Sequence, residues 1–217
     1  MPVLLDLALI AVGLGSLLLL RLAGGSMPWG HLMIAVGPDG RPMRARVRWH
    51  LWSVSHGEPP WRAALCGLLS IALGGASFTV ALPLLVNSLF HPVRVPISLG
   101  LGLTFIVATA CVLVPLGMIV LLRGVLDLVA RRSSMVGQVV GLRRDTGLFG
   151  RSYHLALQPG DRVLGRALWA EAFRVSRATF EQLCPGDRVG IEYSPNLRYV
   201  YRAWVTESAG RGLSAVR

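Results

Sequence analysis

Between Arg62 and Arg123 the chain carries one charged residue, Arg94, which sits in the short break His91-Pro-Val-Arg-Val-Pro96. The flanking stretches, Ala63 to Leu89 and Ile97 to Leu122, contain no charge. About 20 apolar residues cross the hydrocarbon core of a bilayer. Each stretch exceeds that length, so residues 63–122 read as a transmembrane helical hairpin. The chain is expected to be an integral membrane protein, with the lipid bilayer as its first partner.

A further apolar run, Val3 to Leu20, lies within a first expected span over residues 1–22. A secretory signal has a basic start and a small-residue cleavage site. Here the only early charge is Asp6, and Arg21 follows the apolar run. The reading is an uncleaved span, with Ala23-Gly-Gly-Ser26 leaving cleavage as the minority alternative. Arginines then set the orientation, because cytoplasmic loops carry the excess of basic residues. Arg21, Arg41, Arg44, Arg46, Arg48 and Arg62 fall in 21–62, Arg94 alone in 90–96, and Arg123, Arg131 and Arg132 after the hairpin. Three spans with the N-terminus outside and the C-terminus in the cytoplasm satisfy all three segments, which places the chain in the inner (cell) membrane.

The same bias accounts for the formal net charge of +11. Nucleic acid is therefore an unlikely partner, although a basic protein would otherwise suggest it. All 22 basic residues are arginine, which fits a biased genome composition better than a special need for bidentate phosphate contacts. Cys66, Cys111 and Cys184 form no CxxC or Cys/His cluster, so no disulfide framework or zinc site is indicated and all three read as small buried hydrophobes.

Within the spans, small residues recur at helical spacing. Gly67, Ser70 and Gly74 share one face of the second span; Gly100, Thr104 and Ala108, with Ser98 and Gly102, form steps in the third. Such residues let helices approach closely in lipid. They are candidate packing positions, within the hairpin or at a homo-oligomer seam. Pro83 and Pro115 are expected to kink the spans. No ionisable side chain lies at mid-membrane, which argues against a pump or coupled transporter. Asp127, close to Arg123 and Arg131, reads as an interfacial helix-end salt bridge.

Residues 23–62 are too long for a plain connector. His31 to Val36 has strand composition, Pro38-Asp-Gly40 is a turn, and Met43 to Trp52 alternates. Arg44, Arg46, Arg48 and His50 fall on one side, Ala45, Val47, Trp49 and Leu51 on the other. A β-hairpin is expected, its basic side either on anionic headgroups or in water while the apolar side packs on the C-terminal domain. Arg131 and Arg132 join Arg44, Arg46 and Arg48 as candidate headgroup contacts.

Residues 133–207 alternate in short runs between turns, followed by a disordered tail over 208–217. Strands are expected over Met135–Arg143, Tyr153–Leu157, Arg162–Trp169, Arg188–Tyr193 and Arg198–Val205, with Phe173–Val175 a possible continuation. Pro159-Gly160 suits a type II turn, and Pro185-Gly-Asp187 repeats it. Ser176 to Leu183 reads as one helical turn, with Thr179 and Gln182 at capping-box spacing. The fold class is thus an α+β membrane protein with three transmembrane helices and a small C-terminal β-barrel of OB or SH3-like kind.

No catalytic motif is found: no G-x-S-x-G, H-E-x-x-H or P-loop, and no cofactor is implied. His31, His50, His56, His91 and His154 are scattered, so no metal site is expected. The acidic residues of the β domain, among them Asp161, Glu171, Asp187 and Glu192, read as solvated surface pairs.

The layout, with Gly137-Gln-Val139 at the start of the β domain and Gly186-Asp-Arg-Val189 later, resembles the NfeD-type membrane proteins. That resemblance implies a cytoplasmic OB-like domain and association with stomatin-like scaffold proteins; it carries no functional residue onto this chain. The expected function is a non-enzymatic, membrane-anchored interaction or assembly module, with a protein partner or a homo-oligomer. The alternatives are an accessory subunit of a larger membrane complex and an enzyme or transporter with an unrecognised site.

Overall fold

The uncharged runs are rich in Leu, Val, Ile and Ala, and nothing in them but Pro83 and Pro115 opposes a helix. The structure is a computed structural model that describes residues 10, 13–15, 17, 33–36, 42–47, 55–90, 97–147, 150–159 and 168–208. Both runs are helical in it: α1 covers Pro60–Phe90 and α2 Ile97–Val129. They run through Pro83 and Pro115 as continuous helix. At 1.5 Å per residue each is roughly 45 Å long, and both are long and apolar enough to cross a membrane. The two compact units of the chain are Met1–Ala23 with Trp61–Val125, and Gly24–Pro60 with Leu126–Arg217.

In the first unit, backbone approach holds the helices together. Gly67 and Gly117 face each other: a Cβ at Gly67 would stand 2.7 Å from Gly117 O and 2.6 Å from Leu121 N. Ser70, fully buried, adjoins Gly117, and Gly74 lies against Leu113 and Val114. Ala81, Leu103 and Ile106 form a small core further along. Hydroxyls in the helices are satisfied locally, as a lipid setting requires: Ser70 donates to Cys66 O at 2.7 Å and Thr109 to Phe105 O at 2.8 Å. Outward, large apolar side chains stand bare, with Leu68 54% and Leu101 68% exposed, which is the surface of a helix that meets lipid or another helix rather than water. Of the first expected span only Ile10, Gly13, Leu14, Gly15 and Leu17 are described, all helical. Gly15 is buried beside Leu73, Thr109 and Leu113.

The second unit is a sheet of order β1-β2-β5-β4-β3-β6-β7. Its strands are β1 Met33–Val36, β2 Pro42–Val47, β3 Ser133–Gly147, β4 Gly150–Pro159, β5 Leu168–Val175, β6 Arg188–Tyr193 and β7 Val200–Glu207. Strands β3 to β7 form an antiparallel set, and β1 and β2 are an antiparallel hairpin added to β5 through a parallel pairing, Ala45↔Leu168 to Val47↔Ala170. Alternating apolar positions close one core: Val139, Leu155, Leu157, Phe173, Val175, Leu183, Val189 and Ile191, with Phe173 and Tyr193 edge to face at 5.0 Å.

Several expectations change. The sheet is not closed into a barrel: between β5 and the β7 end, the described residues show one isolated parallel bridge, from Arg174 to Tyr199 just before β7. β3 is 15 residues long and absorbs a register shift between Val139 and Gly141. The helical turn, α3 (Arg177–Gln182), is capped by Ser176, whose Oγ accepts from Thr179 N at 3.1 Å; the capping begins three residues earlier than the Thr179–Gln182 pair expected. Cys111 and Cys184 are exposed rather than buried. The type II turn at Pro159-Gly160, most of the strand expected at Arg162–Trp169, Arg48 and His50 of the basic ribbon, and all but Ser208 of the expected tail lie outside the described residues.

Candidate functional site

Polar residues of the second unit converge on residues 55–58, the last turn of α2 and the 194–198 segment. Asp127 stands in the last turn of α2 and is 3% exposed. Its Oδ1 accepts from Asn196 N at 3.0 Å and Asn196 Nδ2 at 2.8 Å, and its Oδ2 accepts from Leu197 N at 2.7 Å. The expected salt bridge at the helix surface is therefore corrected: this carboxylate caps the 195–197 turn. A buried carboxylate persists where its oxygens take several donors, since hydrogen bonding offsets the loss of water.

The same turn receives the segment that leads into α1. Gly57 N donates to Leu197 O at 2.7 Å, so Leu197 uses its N–H toward Asp127 and its carbonyl toward Gly57. Gly57 has φ +73 and its Cα lies against the Arg174 side chain; any side chain there would be strained and would collide. His56 Nε2 donates to Ala172 O at 2.8 Å, and Arg174 Nη1 pairs with Glu58 Oε1 at 2.6 Å. Arg198 (φ +55) pairs with Glu171 at 2.6 Å, its guanidinium 5.7 Å from the Phe173 ring centroid. Both pairs are shielded, with the four side chains at 18 to 32% exposure, so they count for more than the free surface pairs expected. Residues 55–58, Asp127 and the 194–198 segment thus form one clamp on β5 and the start of β7.

A second buried carboxylate holds the 184–187 turn. Asp187, 2% exposed, accepts from Cys184 N at 2.8 Å, and its backbone carbonyl accepts from Val139 N at 2.8 Å. The surface role expected of Asp187 is corrected likewise. Burial is the leading cause that raises the pKa of Tyr193 and of Tyr201 above the ordinary phenol value.

The other candidates separate into groups. Gly67, Ser70 and Gly74 meet α2, whereas Thr104 and Ala108 are exposed, and a Cβ at Gly100 would touch nothing within 4 Å. Gly117, their partner, is not among the sequence candidates, because the residues three and four positions from it, Leu113, Val114, Val120 and Leu121, are all large. Arg44 and Arg46 lie in β2. Arg131 is exposed; Arg132 lies 4.5 Å from the Tyr201 ring and 3.9 Å from Glu192. Among the described residues no group of three or more His, Cys, Asp or Glu is placed to hold a metal ion. No protein-family model matches the chain, no curated protein does, and no solved structure does, so the likeness to NfeD-type proteins rests on the layout and the two short motifs at 137–139 and 186–189.

Proposed function

We propose that the chain is a non-enzymatic, multi-pass inner-membrane protein whose β unit serves in the cytoplasm as an interaction or assembly module. Asp127 carries this reading. A buried carboxylate in the last turn of α2 is built into the β unit and ties that helical turn to the 195–197 turn within it. A surface braced in this way suits assembly. Three spans with the N-terminus outside remain the favoured topology, supported by the arginine distribution and by the burial of Gly15 beside Leu73 and Leu113. An OB-like arrangement is supported by the order β5-β4-β3-β6-β7, by α3 between β5 and β6, and by the parallel approach of β5 and β7 at Arg174 and Tyr199; an OB fold is a five-stranded, partly open Greek-key barrel.

Crosslinking in native membranes, read by mass spectrometry, tests the role. The module reading expects recurrent crosslinks from the β unit to one protein partner or to a second copy. Crosslinks confined to single copies, or substrate turnover by the purified chain, would contradict it. One observation favours the accessory-subunit alternative: the face of α2 with open space at Gly100 and exposed Thr104 and Ala108 suits a partner helix. Crosslinks through that face to co-purifying membrane subunits would select it.

A further inference from the structure

We propose that Arg131, Arg132 and the start of β7 form one binding site for the phosphate of an anionic phospholipid headgroup. The site rests on the membrane reading above and gives it a location and a lipid class.

Chain connectivity comes first. α2 ends at Val129 and β3 begins at Ser133, so Ala130, Arg131 and Arg132 are the whole connector. A residue spans at most about 3.6 Å, which keeps Arg132 within roughly 11 Å of the helix end however the domain is turned. The apolar stretch of α2 runs to Val129, with Leu126, Leu128 and Val129 exposed; if α2 crosses the bilayer with that end at its surface, these side chains lie in the headgroup layer.

Contacts then extend the site. The Arg132 guanidinium is 4.5 Å from the Tyr201 ring centroid, and Tyr201 meets Tyr199 edge to face at 5.1 Å. The β6–β7 register passes from Glu192↔Arg202 to Tyr193↔Val200, leaving Tyr201 without a cross-strand partner. A bulge of this kind re-aims a side chain, and here it accompanies the Tyr201 contact with Arg132. Tyrosine favours the headgroup level because its ring is apolar and its hydroxyl polar. Arg202, exposed, stands opposite Glu192 in the β6–β7 register, and Glu192 is the carboxylate that Arg132 meets.

Charge decides the ligand. Arg131 and Arg202 have no ion pair among the described residues. Arg132 shares Glu192 at 3.9 Å, with both side chains partly in water; a pair so long and wet is weak. The other nearby acid, Asp127, is taken up by Asn196 and Leu197. Three guanidinium groups against one shared carboxylate attract a phosphate, which guanidinium binds through two parallel hydrogen bonds.

The test uses the purified full-length chain, equilibrated with equimolar phosphatidylglycerol and phosphatidylcholine in detergent, with retained lipid counted by native mass spectrometry. Wild type is expected to enrich phosphatidylglycerol. The triple variant Arg131→Gln, Arg132→Gln, Arg202→Gln is expected to lose at least about tenfold of that preference. The variant Arg143→Gln, Arg144→Gln, Arg151→Gln removes the same charge from the β3–β4 hairpin and should keep it. No enrichment in wild type, equal losses in both variants, or displacement by millimolar inorganic phosphate overturns the site. Alkaline carbonate extraction of native membranes separates the two claims. A chain released by carbonate overturns the membrane reading and the site with it. A chain that resists extraction but gives one of the overturning lipid results overturns the site alone.

Discussion

The helical hairpin and the β unit are held together by opposite means. In the hairpin, Gly67, Ser70 and Gly117 bring two backbones together, and the polar groups bond within their own helix. In the β unit, buried carboxylates cap turns: Asp127 reaches across the chain to the 195–197 turn, and Asp187 closes its own 184–187 turn. In the membrane setting proposed above, lipid offers no hydrophobic drive between helices, so close fit must supply it. A small open sheet has a drive of its own but leaves turn amides unpaired, and buried carboxylates satisfy them. One region is thus sensitive to added volume, the other to lost acceptors.

The largest expected effect tests the second half of this contrast. Asp127→Ala leaves three donors at Asn196 and Leu197 without acceptors, and a loss on the order of 3–5 kcal/mol is expected. Asp127→Asn, with one acceptor oxygen left, should fall between. Thermal unfolding of the full chain in detergent, followed by tryptophan fluorescence, measures both; a loss under about 1 kcal/mol for the alanine variant would remove Asp127 from the account.

Gly67→Leu tests the first half. Its Cβ would collide with α2 backbone, so separation of the helices and a loss of about 1–3 kcal/mol are expected. Gly100→Leu, in open space, should be neutral. Pairs of introduced cysteines across α1 and α2 report the change as lost disulfide formation; equal behaviour of the two variants would break the comparison.

Asp187→Ala should cost about 1–2 kcal/mol by freeing Cys184 N. Amide exchange at Cys184 should rise while that at Leu197 does not.

The smallest effect is at high pH. Tyr193 and Tyr201 have pKa values raised by burial above the ordinary 10.0. Above that value the unfolded chain loses phenolic protons before the folded one, so their contribution is fully present below pH 10 and fades as pH rises through the folded-state values. Absorbance titration near 295 nm should show late-titrating tyrosines, and Tyr193→Phe should remove one of them.

What was legible in the sequence follows the same contrast. The hairpin could be read because exclusion of charge is a property of consecutive residues. The α+β class and most strands of the C-terminal sheet could be read because alternation and Pro-Gly turns are local. Asp127 was misread because its neighbours in sequence, Arg123 and Arg131, suggested a pair, whereas its partners lie 69 and 70 residues away. Asp187 was misread for a related reason: the turn looked exposed, and the long β3 that covers it is remote in sequence. The parallel docking of β2 on β5 joins segments more than a hundred residues apart, which no local pattern records.

The central claim is that the last turn of α2 belongs to the β unit and is held there by one buried carboxylate. Hydrogen exchange at the Asn196 and Leu197 amides in the full-length chain tests it most directly, comparing wild type with Asp127→Ala. The account predicts that both amides are protected in wild type, although they lie in a turn, and that the variant speeds both, and Gly57 with them, by at least about tenfold. Rapid exchange of both amides in wild type, or protection unchanged in the variant, would contradict it.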